Sequence, residues 1–450
     1  MYIRIVTAAL LSSLAWPGTV SAETLPSALA AAYSKNPTLN AARAGVRATD
    51  EGVPQALSGY RPTVTLNGDV TATDTNAPGG VGRSQDAGVS LNIIQPIFRG
   101  FRTVNATKAA ESSVLAAREG LRNTEQTVFL NVATAFMDVV QATTVVGLRD
   151  QNIAFLKEQL RAARERLNVG EGTRTDVAQA QARLSAAESQ YNLAKSDLIT
   201  ARASYRQFVG HQPRSLRPGL SISRFLPRSL NQAMDQALGG HPAILSALHN
   251  RDVAAFNVDT IQGELYPTVT LEGSVSQRYG LDSDTNPDDI RSASIVGRLN
   301  VPIYQGGSVY SRVRQAKQQL GQSELEVDVA RDQIRAAVLS SWGAFDAARA
   351  SVIAARSQVR AAQLALEGVI EERKVGQRTT LDVLDAQSEL IDAKIALSQA
   401  QRDRVVAAFS LLSSVGTLDA GSLNLRVAVY EPEVHYGKVR DKWFGLRVPE

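Results

Sequence analysis

The residue types that most often perform chemistry are scarce in this sequence. The chain has no cysteine, which excludes disulfides, thiol catalysis and cysteine-ligated metal. Its four histidines lie far apart and form no HExxH or comparable metal-binding pattern. They are His211, His241, His249 and His435. No nucleophile–base pair and no GxxxxGK(S/T) phosphate-binding loop is visible, so the sequence indicates no catalytic, metal or cofactor site.

Two acidic residues that follow a glycine could act on ions instead. Asp382 and Asp385 are three residues apart, so on a helix they can share one face. Their predicted helix begins just after Gly376. Rings of such carboxylates favour cations in pores. Acids in the first turn of a helix also interact favourably with its dipole, and the residues alone favour this second interpretation.

The proportions of hydrophobic and charged residues are those of an ordinary globular protein, and the N-terminal segment indicates export. The net charge of +4 is small, and no basic run interleaves with aromatic residues, so nucleic-acid binding is not indicated. Residues 1–22 are typical of a signal peptide, with Arg4, a short apolar core from Ile5 to Trp16, and a small-residue cleavage site ending at Ala22. Beyond it, no apolar run reaches the ~18 residues that a membrane-spanning helix needs.

The sequence contains one unit written twice. YRPTVTLNG recurs as YPTVTLEG, PIFRG as PIYQG, and VGEGTRTDVAQAQARL as VGQRTTLDVLDAQSEL, all at a shift of 205 to 206 residues. Chance matches do not keep register over such a distance, so we predict an internal repeat. The predicted domains are a first repeat at 23–210, a linker at 211–229, a second repeat at 230–416 and a C-terminal tail at 417–450.

Each repeat has the same order of predicted elements: a helical stretch, two short strands, a very long helix and a second helix. The helical segments are predicted at 25–58, 103–168 and 175–209, and at 230–264, 309–374 and 381–414. At ~1.5 Å per residue, each long helix spans about 100 Å. The two shorter helices, stacked end to end, would cover the same distance. Helices of this length are typical of coiled coils.

Apolar stripes at heptad spacing agree with a coiled coil. The helix at 175–209 carries one 3-4 stripe from Val177 to Phe208. The helix at 381–414 carries two, one through Leu384 and the other through Val383. A helix with two seams has neighbours on both sides, which suits a wall of helices closed into a tube. An ordinary helical bundle with a wide apolar face is the alternative.

The short alternating segments predict strands of the outer-membrane type. At 63–73 and 268–278, polar residues alternate with apolar residues or glycine, and such lengths fit a tilted transmembrane strand. Hairpin loops are predicted at 75–85 and 281–289. Aromatic residues at the opposite strand ends form a predicted interfacial girdle. These aromatic residues are Tyr60, Phe98, Tyr266 and Tyr304.

Four such strands cannot close a barrel alone, and open sheet edges are not tolerated in lipid. A soluble sandwich with one wet face is the alternative. Oligomerisation favours the membrane interpretation, because three copies of four strands make an even-numbered barrel. The predicted fold is therefore an α+β membrane protein, a trimeric 12-stranded outer-membrane β-barrel continued by a long periplasmic α-helical coiled-coil barrel.

Taken together, these motifs resemble the TolC family of outer-membrane efflux and type I secretion proteins. The resemblance covers about residues 25–416 and rests on TVTL with a following glycine, the QPIF-x-G and VPIY-x-G-G pair, and VGQRTTLDVLDAQ. It implies a homotrimer in the outer membrane of a Gram-negative bacterium, with its tunnel in the periplasm and a small equatorial belt formed by residues 211–229 and part of the segment after Gly416. It implies a passive conduit without enzymatic activity or cofactor, which works with a periplasmic adaptor (membrane fusion protein) and an inner-membrane transporter. A periplasmic coiled-coil adaptor or structural protein is the alternative, and the membrane-type strands argue against it.

The resemblance also assigns roles to residues near the turn at 375–385. It implies that Asp382 and Asp385 line the pore constriction, and that a closed-state latch joins Arg378 to Thr175 and Asp176. Arg373 stands where the family often has a tyrosine of this latch. The tail at 435–445 resembles a branch of the family that is linked to type I secretion.

Overall fold

The computed structural model describes residues 22–77, 80–217, 222–281 and 289–448. The predicted signal peptide lies outside these residues except for Ala22, and so does most of the predicted loop at 281–289. The first repeat and the linker contain β1 (Glu23–Thr24), α1 (Leu25–Lys35), α2 (Pro37–Asp50), α3 (Gly52–Leu57), β2 (Thr63–Ala77), β3 (Gly80–Arg99), α4 (Arg102–Asn168), α5 (Arg174–Val209) and β4 (Leu216–Arg217). The second repeat and the tail contain α6 (Leu230–Gly240), α7 (Pro242–Gln262), β5 (Thr268–Gly280), β6 (Ile290–Asn300), α8 (Ser308–Lys374), α9 (Thr380–Val415) and α10 (Pro432–Val439).

The long helices of the two repeats are equal in length. α4 and α8 have 67 residues each, and α5 and α9 have 36 each. The predicted helices are confirmed, and their ends differ from the prediction by about one residue, within the usual uncertainty of helix boundaries. With ~1.5 Å per residue, the long helices extend about 100 Å.

The helical stretches that open the two repeats are not continuous, so the single helices predicted at 25–58 and 230–264 are wrong. Asn36 precedes Pro37 and His241 precedes Pro242, and both adopt extended backbone with ψ of 124° and 128°. Proline clashes with helical backbone in the residue before it and has no N–H to donate. The chain therefore breaks its helix at the same point of both repeats.

Asn36 and His241 also join two helices end to end. Asn36 accepts the first N–H groups of α2 and donates to the Phe208 carbonyl, at the end of α5, over 2.9 Å. His241 accepts the Ala243 N–H at Nδ1 over 3.1 Å, and its Nε2 donates to the Ser413 carbonyl of α9 over 3.2 Å. In each repeat a short helix thus continues the line of α5 or α9 beside the long helix, as the predicted lengths required.

The largest buried cluster lies where α1, α2, α4, α5 and α9 meet the segment that follows α9. Phe129 and Phe136 of α4, Tyr205 of α5 and Phe409 of α9 are fully buried in it. Leu418, just after α9, is also part of this cluster. We call it the equatorial core, because it surrounds the long helices between the sheet and their far ends.

The longest apolar run lies in α4. An 18-residue window of this helix has a mean hydropathy of 1.4, enough by length and composition to cross a membrane, so the expectation that no such run follows residue 22 is wrong. Half of the window is buried within the protomer. Phe129 and Phe136 of this helix are fully buried in the equatorial core, so this part of α4 packs inside the folded domain.

The predicted coiled-coil stripes are buried at the ends of the long helices. One seam joins α4 to α5, and a second joins α8 to α9. α9 uses both of its stripes, because Leu384 packs into the first seam while Val383 and Leu390 pack into the second. A continuous layer of four helices results, which agrees with a helical wall rather than a compact bundle.

The sheet has the order β2-β3-β5-β6, and all of its neighbours are antiparallel. Leu66 lies opposite Leu91, which lies opposite Val275, so the apolar positions of neighbouring strands share one face. Leu66 and Val275 are exposed. The other face is polar and carries cross-strand hydroxyl pairs at 2.8 Å between Ser274 and Ser294 and between Ser276 and Ser292.

The first hairpin is longer than predicted. β2 continues to Ala77 and β3 begins at Gly80, with these two residues paired, so the loop predicted at 75–85 is wrong. The backbone hydrogen bonds between the two strands outweigh the turn preference of these residue types, because strand preference depends strongly on context.

Within the described residues, β2 and β6 each have a partner on one side only, so the sheet has two open edges.

Candidate functional site

Two turns at the end of the long helices opposite the sheet have the same construction, and we call them the tunnel tip (166–176 and 372–382). Gly170 and Gly376 have φ of 79° and 78°, a left-handed backbone that glycine adopts without strain. The next N–H in each turn, of Glu171 and of Gln377, bonds back to the carbonyl of the preceding helix over 2.8 and 2.9 Å. These bonds satisfy carbonyls at the helix ends, so the tip consists of two matched, closed turns.

Asp176 and Asp382 hold the same position in the two turns. In each, a threonine three residues earlier receives a hydrogen bond from the aspartate N–H and returns one from its own N–H to the carboxylate. For Asp382 the returned bonds come from the N–H and the hydroxyl of Thr379, both at 2.8 Å. These bonds lower the pKa of both carboxyl groups. Asp382 is therefore an ionised acid in the first turn of α9, as the residues alone suggested, with one oxygen left for other partners.

Asp385 lies one turn further along α9 and meets the first repeat. The Arg183 Nη2 of α5 is 2.6 Å from Asp385 Oδ1, and both side chains are about half exposed. Sequence analysis missed Arg183, because no spacing relates two residues that lie in different repeats. The pair offsets the negative charge of Asp385 and links the two repeats near the tip.

Within one protomer, Arg378 bonds to its own turn rather than to the first repeat. Its Nε lies 2.7 Å from Glu372 Oε2. Thr175 is exposed at the start of α5, and Asp176 lines the same open groove as Arg378. The structure thus brings Arg378 and Asp176 to one groove without a direct bond between them.

Two further arginines point into the tip. Arg373 donates from Nη1 to Gln159 Oε1 over 2.8 Å. Burial, and then the positive charge of Arg166, lower the pKa of Arg373. Within the described residues, Arg166 Nη2 is buried without a hydrogen-bond partner. The position of the family's tyrosine is therefore occupied by a cation that reaches across to α4, and a second cation stands close to it.

The predicted interfacial aromatics stand where the helices meet the sheet. Tyr60, Tyr266 and Tyr304 are at least about half exposed, whereas Phe98 is partly buried. Phe98 packs edge-on against Phe101 with 5.1 Å between ring centroids, and Phe101 against Tyr266 with 6.4 Å. Sequence analysis missed Phe101, which has an unusual positive φ of 62° and opens α4.

A sheet with one exposed apolar face, joined to a long helical wall, defines an outer-membrane channel protein with a tunnel in the periplasm. The chain belongs to the outer membrane efflux protein family, whose model matches residues 28–211 and 233–417, once for each repeat. The two matches agree with the internal repeat. The family is one of channels rather than enzymes.

Individual relatives agree with this assignment. The chain is 48% identical over 452 residues to the outer membrane efflux protein BepC of Brucella suis, covering 99% of this chain and 97% of BepC. It is 27% identical over 415 residues to the outer membrane protein TolC of Escherichia coli, covering 89% of this chain and 84% of TolC. The fold is similar to that of the Campylobacter jejuni CmeC outer membrane channel, with a TM-score of 0.79 at 17% identity, over 93% of this chain and 89% of CmeC.

Proposed function

We propose that this protein is the exit duct of a tripartite efflux pump or type I protein secretion system, recruited by a periplasmic adaptor and an inner-membrane transporter that supplies the energy. The observation that carries the proposal is the direct continuation of the sheet into α4 and α8, which gives one chain a membrane element and a periplasmic element of about 100 Å. The relative BepC is named an efflux protein, and the tail sequence favours the secretion branch.

The proposed assembly is a homotrimer with a 12-stranded barrel. β2 and β6 leave rows of unpaired backbone groups at the two edges of the sheet, and lipid has no water to satisfy them. Pairing β2 of one copy with β6 of the next removes every open edge when three copies close the ring. The apolar face would then contact outer-membrane lipid, and the polar face with its serine pairs would line the pore.

The proposed constriction lies at the tunnel tip, with Asp382 and Asp385 of the three protomers around one axis. The two carboxylates differ in their partners, because Arg183 pairs with Asp385 whereas Asp382 accepts the capping bonds of Thr379 with one oxygen only. Low-dielectric walls focus the field of such charges. We therefore assign most of the attraction for cations to Asp382.

The proposed latch joins Arg378 to Thr175 and Asp176. In a single protomer Arg378 is held by Glu372, in the groove that Asp176 also lines. Arg378 would exchange Glu372 for Asp176 as its partner if the second-repeat turn shifted slightly or a neighbouring protomer approached. The Arg183–Asp385 pair is a second link between the repeats, and opening the tip would have to break it as well.

In-cell photo-cross-linking tests the proposed function. A photoreactive residue at Gln377, at the tunnel tip, should capture a periplasmic adaptor, and the same residue at the exposed Leu193, in the middle of α5, is the control. Capture of the adaptor from the tip, with its inner-membrane transporter co-purifying, would support the duct. If neither position captures such partners while the protein sits correctly in the outer membrane, the role as a pump component is refuted.

A further inference from the structure

The end of the C-terminal tail has large apolar side chains that are mostly exposed in the described protomer. Trp443 is 65% exposed, Phe444 is 90% exposed, and Leu446 is fully exposed. Three large apolar residues within four positions form a contiguous patch, which on a soluble surface marks a contact site. Arg440, Asp441, Lys442 and Arg447 flank them in the sequence, so basic residues outnumber acidic ones beside the patch.

The patch is part of a closed loop, which we call the tail loop (442–447). The Lys442 Nζ donates to the Arg447 carbonyl over 2.6 Å, which brings the two ends together. Gly445 has φ of 107°, a conformation that side chains rarely adopt. A closed loop of this kind holds Trp443, Phe444 and Leu446 at its tip and needs little further ordering before it binds a surface.

The tail loop is fixed at the junction between helices and sheet. Arg61 donates from Nη1 to the Lys442 carbonyl over 2.8 Å, and its guanidinium lies 4.7 Å from the centre of the Trp443 ring. Arg61 is two residues before the first residue of β2, and its neighbour Tyr60 accepts a bond from Gln95 of β3 over 2.9 Å. Trp443 therefore stands beside Arg61, at the level where the sheet begins.

The other end of the tail is fixed to the helices. His435 of α10 bonds to the fully buried Asp50 of α2 over 2.8 Å. Arg440 reaches to within 3.6 Å of Glu111, near the start of α4. The tail thus leads from the equatorial core along the helices to the base of the sheet, and its position there is not arbitrary.

We propose that the tail loop is a lipid-binding anchor that inserts Trp443, Phe444 and Leu446 into the periplasmic leaflet of the outer membrane. Tryptophan and phenylalanine prefer the boundary between headgroups and acyl chains. Lys442 and Arg447, the basic residues on either side of the loop, would meet the lipid phosphates while the apolar side chains enter the acyl layer. Arg61 holds the loop two residues before β2, at the end of the sheet whose apolar side chains are exposed. The chain has no cysteine that could carry a lipid instead.

Tryptophan fluorescence can test this contact in the full-length protein. The chain has three tryptophans, and Trp342 of α8 packs against a buried helical cluster far from the sheet. A W16F/W342F variant leaves Trp443 as the only reporter, and a W16F/W443F variant leaves Trp342 as the control. Both are reconstituted into lipid nanodiscs that contain phospholipid brominated either near the carbonyl end or near the methyl end of the acyl chains.

Bromine near the carbonyl end should quench Trp443 strongly and bromine near the methyl end weakly, whereas Trp342 should be quenched by neither. In the F444S/L446S background, Trp443 should lose most of this quenching while channel conductance is unchanged. Emission typical of water-exposed tryptophan without quenching would overturn the proposal. Blue-shifted emission without quenching would also overturn it, because a second copy or another protein would then cover the loop.

Discussion

Replacement of Glu125 by glutamine should stabilise the protein at neutral and alkaline pH. Glu125 is a buried carboxyl of α4 in the equatorial region, and its Oε1 accepts the Ala420 N–H over 2.7 Å. Burial raises its pKa from 4.5 to about 7, and the nearby Asp419 adds to the rise; the Ala420 bond opposes it. The carboxyl is therefore partly neutral in the folded protein under conditions in which it is ionised in the unfolded chain.

The sign and size of the effect follow from this difference. Between pH 4.5 and about 7 the folded state binds more protons than the unfolded state, so stability falls as the pH rises through that window. The full difference corresponds to roughly 3 kcal/mol per protomer. Glutamine keeps an oxygen that accepts the Ala420 N–H and cannot ionise, so E125Q should remove this loss.

Thermal unfolding of the detergent-solubilised protein at a series of pH values measures the effect. The midpoint of E125Q should match that of the wild type below pH 4.5 and exceed it above about pH 7. E188Q, at an exposed position of α5, is the matched control and should follow the wild type throughout. If the unfolding midpoints of E125Q and wild type change with pH in the same way, ionisation of Glu125 does not destabilise the folded protein, and the reasoning is refuted.

The other predictions concern the helix junction and the tip. Burial lowers the pKa of His241 below 6.5, so wild-type stability should decline as the pH falls below that value. H241N, which copies Asn36 of the first repeat, should lack this decline. Identical pH profiles for H241N and wild type would contradict the role of the imidazole. In planar bilayers a trivalent cation on the periplasmic side should block the channel. D382N should relieve this block more than D385N does, and R183Q should strengthen it. Equal block in all variants would show that these acids do not form the constriction. D176N changes the matching cap of the first repeat and serves as the charge control. R378S should raise single-channel conductance, and unchanged conductance would show that Arg378 only supports its own turn.

The helices and strands could be predicted because their signals are local. The alternation at 63–73 fixes which side chains share a face, and heptad stripes and the Thr379–Asp382 cap mark where α9 starts and packs. The helix breaks at Pro37 and Pro242 were also locally visible, since a residue before proline leaves helical backbone. The extended first hairpin was not, because its turn residues are held by ladder bonds to the partner strand.

The contacts between the repeats could not be predicted. Arg183 and Asp385 lie about two hundred residues apart, and their meeting depends on how α5 packs beside α9. The same holds for Asn152, which bonds to Gln387 inside the helical wall. The carboxylate roles were proposed from a resemblance, and only the folded structure shows that Asp382 belongs to a capping box while Asp385 pairs with Arg183.

The tail loop was beyond sequence reasoning for a similar reason. Its aromatic residues have no periodic pattern, and their meaning comes from the Arg61 contacts that bring them to the base of the sheet. Local composition shows that such a segment is apolar, whereas only the tertiary contacts show which surface it reaches.

The mass of the protein in mild detergent tests the central claim most directly. In lipid the open edges of β2 and β6 need backbone partners, and we propose that other copies of the chain supply them. The account predicts a particle with three times the mass of the mature chain after subtraction of the bound detergent. A stable monomer that keeps its sheet, shown by the same β-structure content, would contradict the trimeric channel.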